Sequence, residues 1–127
     1  MVEAEIRVRL YPTESAEKVR RAILNLFPDV ELEEREGSIY GSVLSLERFS
    51  EILRDSRIRD VARTQILHKN RGSIGNFWLN KQAAFVGKVN FADEDTPLGA
   101  IEVQLTGADL VSIIDRIAPS TRRREGA

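Results

Sequence analysis

Val2-Glu3-Ala4-Glu5-Ile6-Arg7-Val8-Arg9-Leu10 alternates apolar and charged residues without a break. Side chains alternate across a β-strand, so Val2, Ala4, Ile6, Val8 and Leu10 share one face. Glu3, Glu5, Arg7, Arg9 and Tyr11 share the other. A strand with one apolar and one charged face belongs to a sheet covered on a single side. That predicts two layers, and the rest of the chain is read outward from it.

Pro12 ends the strand, and Thr13 or Ser15 is placed to cap a helix. Ala16, Val19, Ile23, Leu26 and Phe27 recur at helical spacing until Pro28. Val30 and Leu32 alternate with Glu31 and Glu33; Glu36-Gly37-Ser38 turns the chain, and Ile39 to Leu44 returns. This is a hairpin. Ser45 then caps a short helix carrying Leu46, Phe49, Ile52 and Leu53. Asp55 or Ser56 restarts a second helix with Ile58, Val61, Ala62, Gln65 and Ile66, unless the two are one kinked helix.

Gly72-Ser73-Ile74-Gly75 closes the helical stretch, and Phe77, Trp78 and Leu79 read as buried and extended. Phe85 to Phe91 is expected to be a strand, as is Ile101 to Thr106. Thr106 and Asp109 have capping-box spacing. Leu110, Ile113, Ile114 and Ile117 form the stripe of a last helix, which Pro119 ends. The expected order is β-α-β-β-α-α-β-β-β-α. The fold class is α+β, a two-layer sandwich with a mainly antiparallel sheet and helices on one face. One domain over residues 1–119 is expected, followed by a flexible basic tail over 120–127.

Charge is segregated along the chain. Between Arg54 and Lys88 eight Lys or Arg stand against two acids, a net +6, while residues 1–53 carry −4 and 89–127 carry −3 in a total of −1. A concentrated positive field is the footprint of a phosphate-backbone binder. Arg59 and Arg63, four apart, share a helix face with Arg57 on an adjacent one, and Lys69 and Arg71 continue the charge. Guanidinium groups meet phosphate bidentately. A solvated face paired to the acidic hairpin around Glu31 to Glu36 explains the same pattern equally well.

Gly72-Ser73-Ile74-Gly75 matches the G-x-x-G loop that clamps backbone in one RNA-binding module. That module needs a helix on both sides, so a helix cap is the preferred reading. Asn80-Lys81-Gln82 is a polar turn that can donate to phosphate, ribose or base. Bases stack on aromatic rings, for which Tyr11, Tyr40 and Trp78 are the candidates. Trp78, between Phe77 and Leu79, is assigned to the core.

The sequence contains no cysteine, which excludes disulfides, thiolate metal sites and a cysteine nucleophile. His68 is the only histidine, and no nucleophile or orienting partner accompanies it. Phosphate-loop and nucleophile-elbow motifs are missing. No signal peptide or membrane-spanning run is legible, so a cytoplasmic protein without cofactor or metal is expected. Asp93, Glu94 and Asp95 allow a metal-assisted phosphodiesterase as the weakest alternative.

Leu79-Asn80-Lys81-Gln82-Ala83-Ala84-Phe85-Val86-Gly87-Lys88-Val89, Thr96-Pro97-Leu98-Gly99 and Ile114-Asp115-Arg116-Ile117-Ala118-Pro119 resemble a small archaeal family of unknown function. The opening Val2 to Pro12 agrees too, and the likeness runs over residues 1–121. That family is described as RNA-binding-related and as a predicted exosome subunit, with a fold like ribosomal protein L-five. The resemblance implies an α+β domain of ribosomal-protein type, favours RNA over DNA, and raises Asn80, Lys81 and Gln82 to candidate contacts. It brings no catalytic residue.

The expected function is therefore non-enzymatic RNA binding by backbone and shape, in an RNA-processing complex. The expected contacts are Arg57, Arg59, Arg63, Lys69, Arg71, Asn80, Lys81, Gln82 and Lys88. The alternative is an assembly module acting as a homodimer without RNA contact.

Overall fold

A computed structural model describes residues 3–69, 75–93, 99–106 and 110–119. Arg71, Gly72 to Ile74, Glu94, Asp95, Asp109 and the 120–127 tail lie outside the described residues.

The opening alternation forms β1 (Ala4–Arg9), whose residues alternate buried and exposed. Helix α1 (Ala16–Leu26) follows, and the Ser15 hydroxyl accepts from the Lys18 N–H at 3.3 Å, the expected cap. Next come β2 (Val30–Arg35) and β3 (Ser38–Val43). They are paired so that Arg35 faces Ser38. The two linking residues, Glu36 and Gly37, have φ of 49° and 79°, which is what a tight two-residue hairpin requires.

The central helices are separate: α2 (Glu47–Asp55) and α3 (Arg59–Lys69). Strand β4 (Gly75–Leu79) follows, then β5 (Phe91–Ala92), β6 (Ile101–Leu105) and helix α5 (Leu110–Ile117).

The strands form one six-stranded antiparallel sheet in the order β2-β3-β1-β6-β4-β5. Ala4, Ile6, Val8, Ile39, Val43, Phe77, Leu79, Ile101, Val103 and Leu105 are buried on the helix side. The opposite face has no helical cover among the described residues. The two-layer α+β class is what the period-two segments dictated.

One aromatic series runs through the core. Phe27 stacks on Phe49 at 5.3 Å between ring centroids, Phe49 on Phe77 at 5.7 Å, and Phe77 meets Phe91 at 5.8 Å. It links the residue after α1, through α2, to β4 and β5.

The expected strand from Phe85 to Phe91 is corrected. Residues 81–85 form a helix, α4 (Lys81–Phe85), and the strand shrinks to Phe91–Ala92. Asn80 Oδ1 accepts from the Ala83 N–H at 2.8 Å and caps the helix, and Ala83 and Ala84 are strong helix formers. At the far end Gly87, with φ of 79°, takes the left-handed exit.

Candidate nucleic-acid interface

Among the described residues of the basic segment, Arg63 and Lys81 are paired internally, Arg54, Arg57 and Arg59 share one corner, and Lys88 is exposed and belongs to neither group.

The corner lies where α2 gives way to α3. Arg54, Arg57 and Arg59, with Asp60, line a cavity of about 250 Å³. Arg54 pairs with its neighbour Asp55 at 3.3 Å. Among the described residues, Arg57 and Arg59 form no ion pair. The turn itself is a Schellman motif: Ile58 N–H donates to Leu53 O at 3.0 Å and Arg57 N–H to Arg54 O at 3.1 Å. The residue between them must be left-handed, and Arg57 has φ of 58°. Glycine fills that place with no steric cost, whereas an arginine is strained there. Arg57 is one of the three arginines that line the cavity.

Other predicted contacts are engaged inside the protein. Arg63 donates to Asp115 on α5 and to the Ala118 carbonyl. Lys81 Nζ lies 3.0 and 3.1 Å from the two Glu14 oxygens and 2.9 Å from the Arg9 carbonyl. The Lys81 and Glu14 side chains are only 12% and 17% exposed. The ammonium also sits 5.3 Å from the Tyr11 ring centroid, and Glu14 Oε1 accepts from the Tyr11 N–H at 2.9 Å. Lys81 therefore ties α4 to the β1–α1 connection. Asn80 is the α4 cap. Gln82 is exposed beside a groove of about 170 Å³ between α1 and α4, with Val19, Ala22 and Phe85. Lys88 is exposed in the α4–β5 connection. Lys69 ends α3.

Register fixes what lies at the corner's end of the molecule. Arg59 and Leu79 are the ends of α3 and β4 remote from the α3–β4 connection. Leu79 pairs with Ile101, and Arg9 with Ser38, which pairs with Arg35. Asn80 N–H donates to the Asn90 carbonyl at 2.8 Å, which brings the segment after Lys88 to that same end of the sheet.

The uncovered sheet face presents a row that the sequence reading missed. Pairing aligns Glu33, Tyr40, Arg7, Glu102, Trp78 and Ala92 across all six strands. Trp78, expected in the core, is instead half-buried on this face, because it alternates with the buried Phe77 and Leu79. The signal was available: in a sheet covered on one side, only alternate residues of an apolar run can be core. Arg35 lies over the Tyr40 ring, 4.3 Å from its centroid. Arg7 Nε stands 3.6 Å from Glu102 Oε1. Glu5, Arg7, Tyr40, Glu102 and Gln104 surround a cavity of about 190 Å³.

Among the described residues no group of three or more His, Asp or Glu side chains is placed to hold a metal ion. Asp93 is exposed. No described helix is long and apolar enough to cross a membrane.

A family model described as RNA binding matches residues 3–106, the whole span from β1 to the end of β6. The chain belongs to this RNA-binding family. Relatives within it carry the name UPF0201. A UPF0201 protein of Sulfurisphaera tokodaii is 38% identical over 133 residues, covering 97% of this chain and 91% of that protein. A UPF0200/UPF0201 protein of Archaeoglobus fulgidus is 46% identical over 124 residues, covering 95% of this chain. The chain spans only 38% of that relative's length. The crystal structure of a UPF0201 protein from Methanococcus jannaschii superposes with a TM-score of 0.85 at 40% identity, covering 95% and 96% of the two chains.

Proposed function

We propose that this UPF0201-family protein binds RNA through the phosphate backbone at the α2–α3 corner. One observation carries the reading: three arginines and one acid, Asp60, line a single cavity, and one of the arginines, Arg57, stands where glycine is sterically preferred. Full charge and a planar donor fork suit phosphate oxygens. Lys88 extends the positive field toward the same end of the sheet. Arg63 and Lys81 are left out, because Asp115 and Glu14 already take their charges. The match to the RNA-binding family supports RNA as the polyanion. In this reading the protein is a binding component of an RNA-processing assembly and carries out no reaction of its own.

Assembly as a homodimer has less support. Among the described strands β2 is the longer sheet edge, and it carries Glu31, Glu33 and Glu34. Charged side chains on an edge strand discourage edge-to-edge pairing, and here Glu33 and Glu34 are already held by Arg35 and Arg20.

The test is binding of fluorescently labelled RNA, single-stranded and structured, across a salt series. The expected result is affinity that falls steeply with salt, and a slope that drops by about 1 for each phosphate-contacting arginine reversed to Glu. Affinity no greater than that of a control protein of equal charge would overturn the proposal.

A further inference from the structure

The open sheet face is built differently from the arginine corner. It presents Glu5, Glu31, Glu33 and Glu102 against Arg7, Arg9 and Arg35, and Glu33 pairs with Arg35 at 3.0 Å. A face with four carboxylates against three cations holds no phosphate track. What it offers instead is flat rings and hydrogen-bonding groups at fixed spacing. Tyr40 and Trp78 stand on β3 and β4, three strand spacings apart, or roughly 14 Å. That is too far for one base to bridge, so each ring is a separate platform. Uncovered sheets that present aromatic rings are surfaces on which unpaired bases stack. Here both rings are half-buried and Arg35 lies over Tyr40, so a base meets that ring together with a guanidinium plane, which also stacks.

Glu102 stands in the same row between them. Its side chain is 27% exposed, and Arg7 Nε at 3.6 Å is too far for a hydrogen bond. Both carboxylate oxygens therefore keep acceptor capacity, and an ionised carboxylate accepts two parallel N–H donors well. Guanine is the one RNA base whose pairing edge offers two adjacent donors, N1–H and the N2 amino group. Uracil, cytosine and adenine each offer a single donor position there. Gln104, two residues along β6, adds an amide that can donate to a base carbonyl oxygen.

We infer that the open face reads bases of single-stranded RNA, with Tyr40 and Trp78 stacking and Glu102 selecting guanine. This rests on the reading of the protein as an RNA binder, and it assigns to a second surface the sequence preference that the corner cannot supply.

The protein reports on this face directly, since Trp78 is its only tryptophan. Oligouridine with and without one central guanosine is titrated against the intact protein. Trp78 emission and the anisotropy of the labelled RNA are followed together. Trp78 emission is expected to change as the RNA saturates. The guanosine-bearing strand is expected to bind roughly fivefold tighter or more. Glu102→Gln abolishes that ratio, and Tyr40→Ala weakens both strands by roughly fivefold or more. Arg57→Glu weakens both strands and leaves the ratio intact. RNA binding with unchanged Trp78 emission and no guanosine preference overturns the base-reading face and leaves the corner standing. If neither oligonucleotides nor structured RNA bind, both readings fall.

Discussion

Arg57 occupies at the end of α2 the position that Gly87 occupies at the end of α4. At each, two hydrogen bonds close the same turn: Ile58 N–H to Leu53 O and Arg57 N–H to Arg54 O in one, Lys88 N–H to Ala83 O and Gly87 N–H to Ala84 O in the other. Both residues are left-handed, with φ of 58° and 79°. One chain thus solves one backbone problem twice, once with the residue sterics favour and once with a residue they penalise. The penalised choice is the one beside the cavity lined by arginines.

Replacing Arg57 with glycine separates stability from binding. Arg57→Gly is expected to raise stability by about 1 kcal/mol, read as a higher urea midpoint at unchanged slope. It is also expected to weaken RNA binding and flatten its salt dependence. A variant that is both less stable and equally tight would show that the arginine serves the fold.

Arg59 and Arg63 are one helical turn apart, yet their charges have different destinations. Arg59 lines the corner cavity; Arg63 is held by Asp115. Arg59→Ala is expected to reduce the salt slope of RNA binding by about 1. Arg63→Ala is expected to leave that slope unchanged and to lower stability by about 1 kcal/mol through loss of a charged hydrogen bond. Equal effects on the slope would contradict the division of the basic segment.

Lys81 is expected to behave as a structural residue. Lys81→Met leaves Glu14 partly buried without its cation, a change expected to cost about 3 kcal/mol at neutral pH. The double variant Glu14→Gln, Lys81→Met should recover part of that loss, because no charge is then left stranded. Chemical denaturation of the three variants gives the coupling directly. Additive losses would mean that the pair does not act as a unit.

Phe49 is an inner ring of the core series, in contact with both Phe27 and Phe77. Phe49→Ala is expected to cost about 3–5 kcal/mol and Phe49→Leu markedly less. Thermal unfolding followed by circular dichroism measures both. Leu24→Ala, at an exposed site on α1, is the control and should change stability by less than about 0.5 kcal/mol.

Much of the fold was legible because its signals are local. The alternation of β1, the stripe of α1 and the Glu36-Gly37 turn are each read within a few residues. The α4 region misled because Ala83, Ala84, Phe85 and Val86 suit either a short helix or a strand. The Asn80 cap and the Gly87 exit decided it in favour of helix. Trp78 misled because an apolar triplet looks like core until the sheet is known to be covered on one side only.

By itself the sequence determined the α+β class, the one-sided sheet and the concentration of positive charge in the middle of the chain. These follow from side-chain periodicity and composition, which need no distant contact. Only the tertiary structure decided which cations remain available. Arg63 meets an acid 52 residues away and Lys81 one 67 residues away. Such pairings are set by how helices and strands pack, and a run of like charges in sequence carries no record of them.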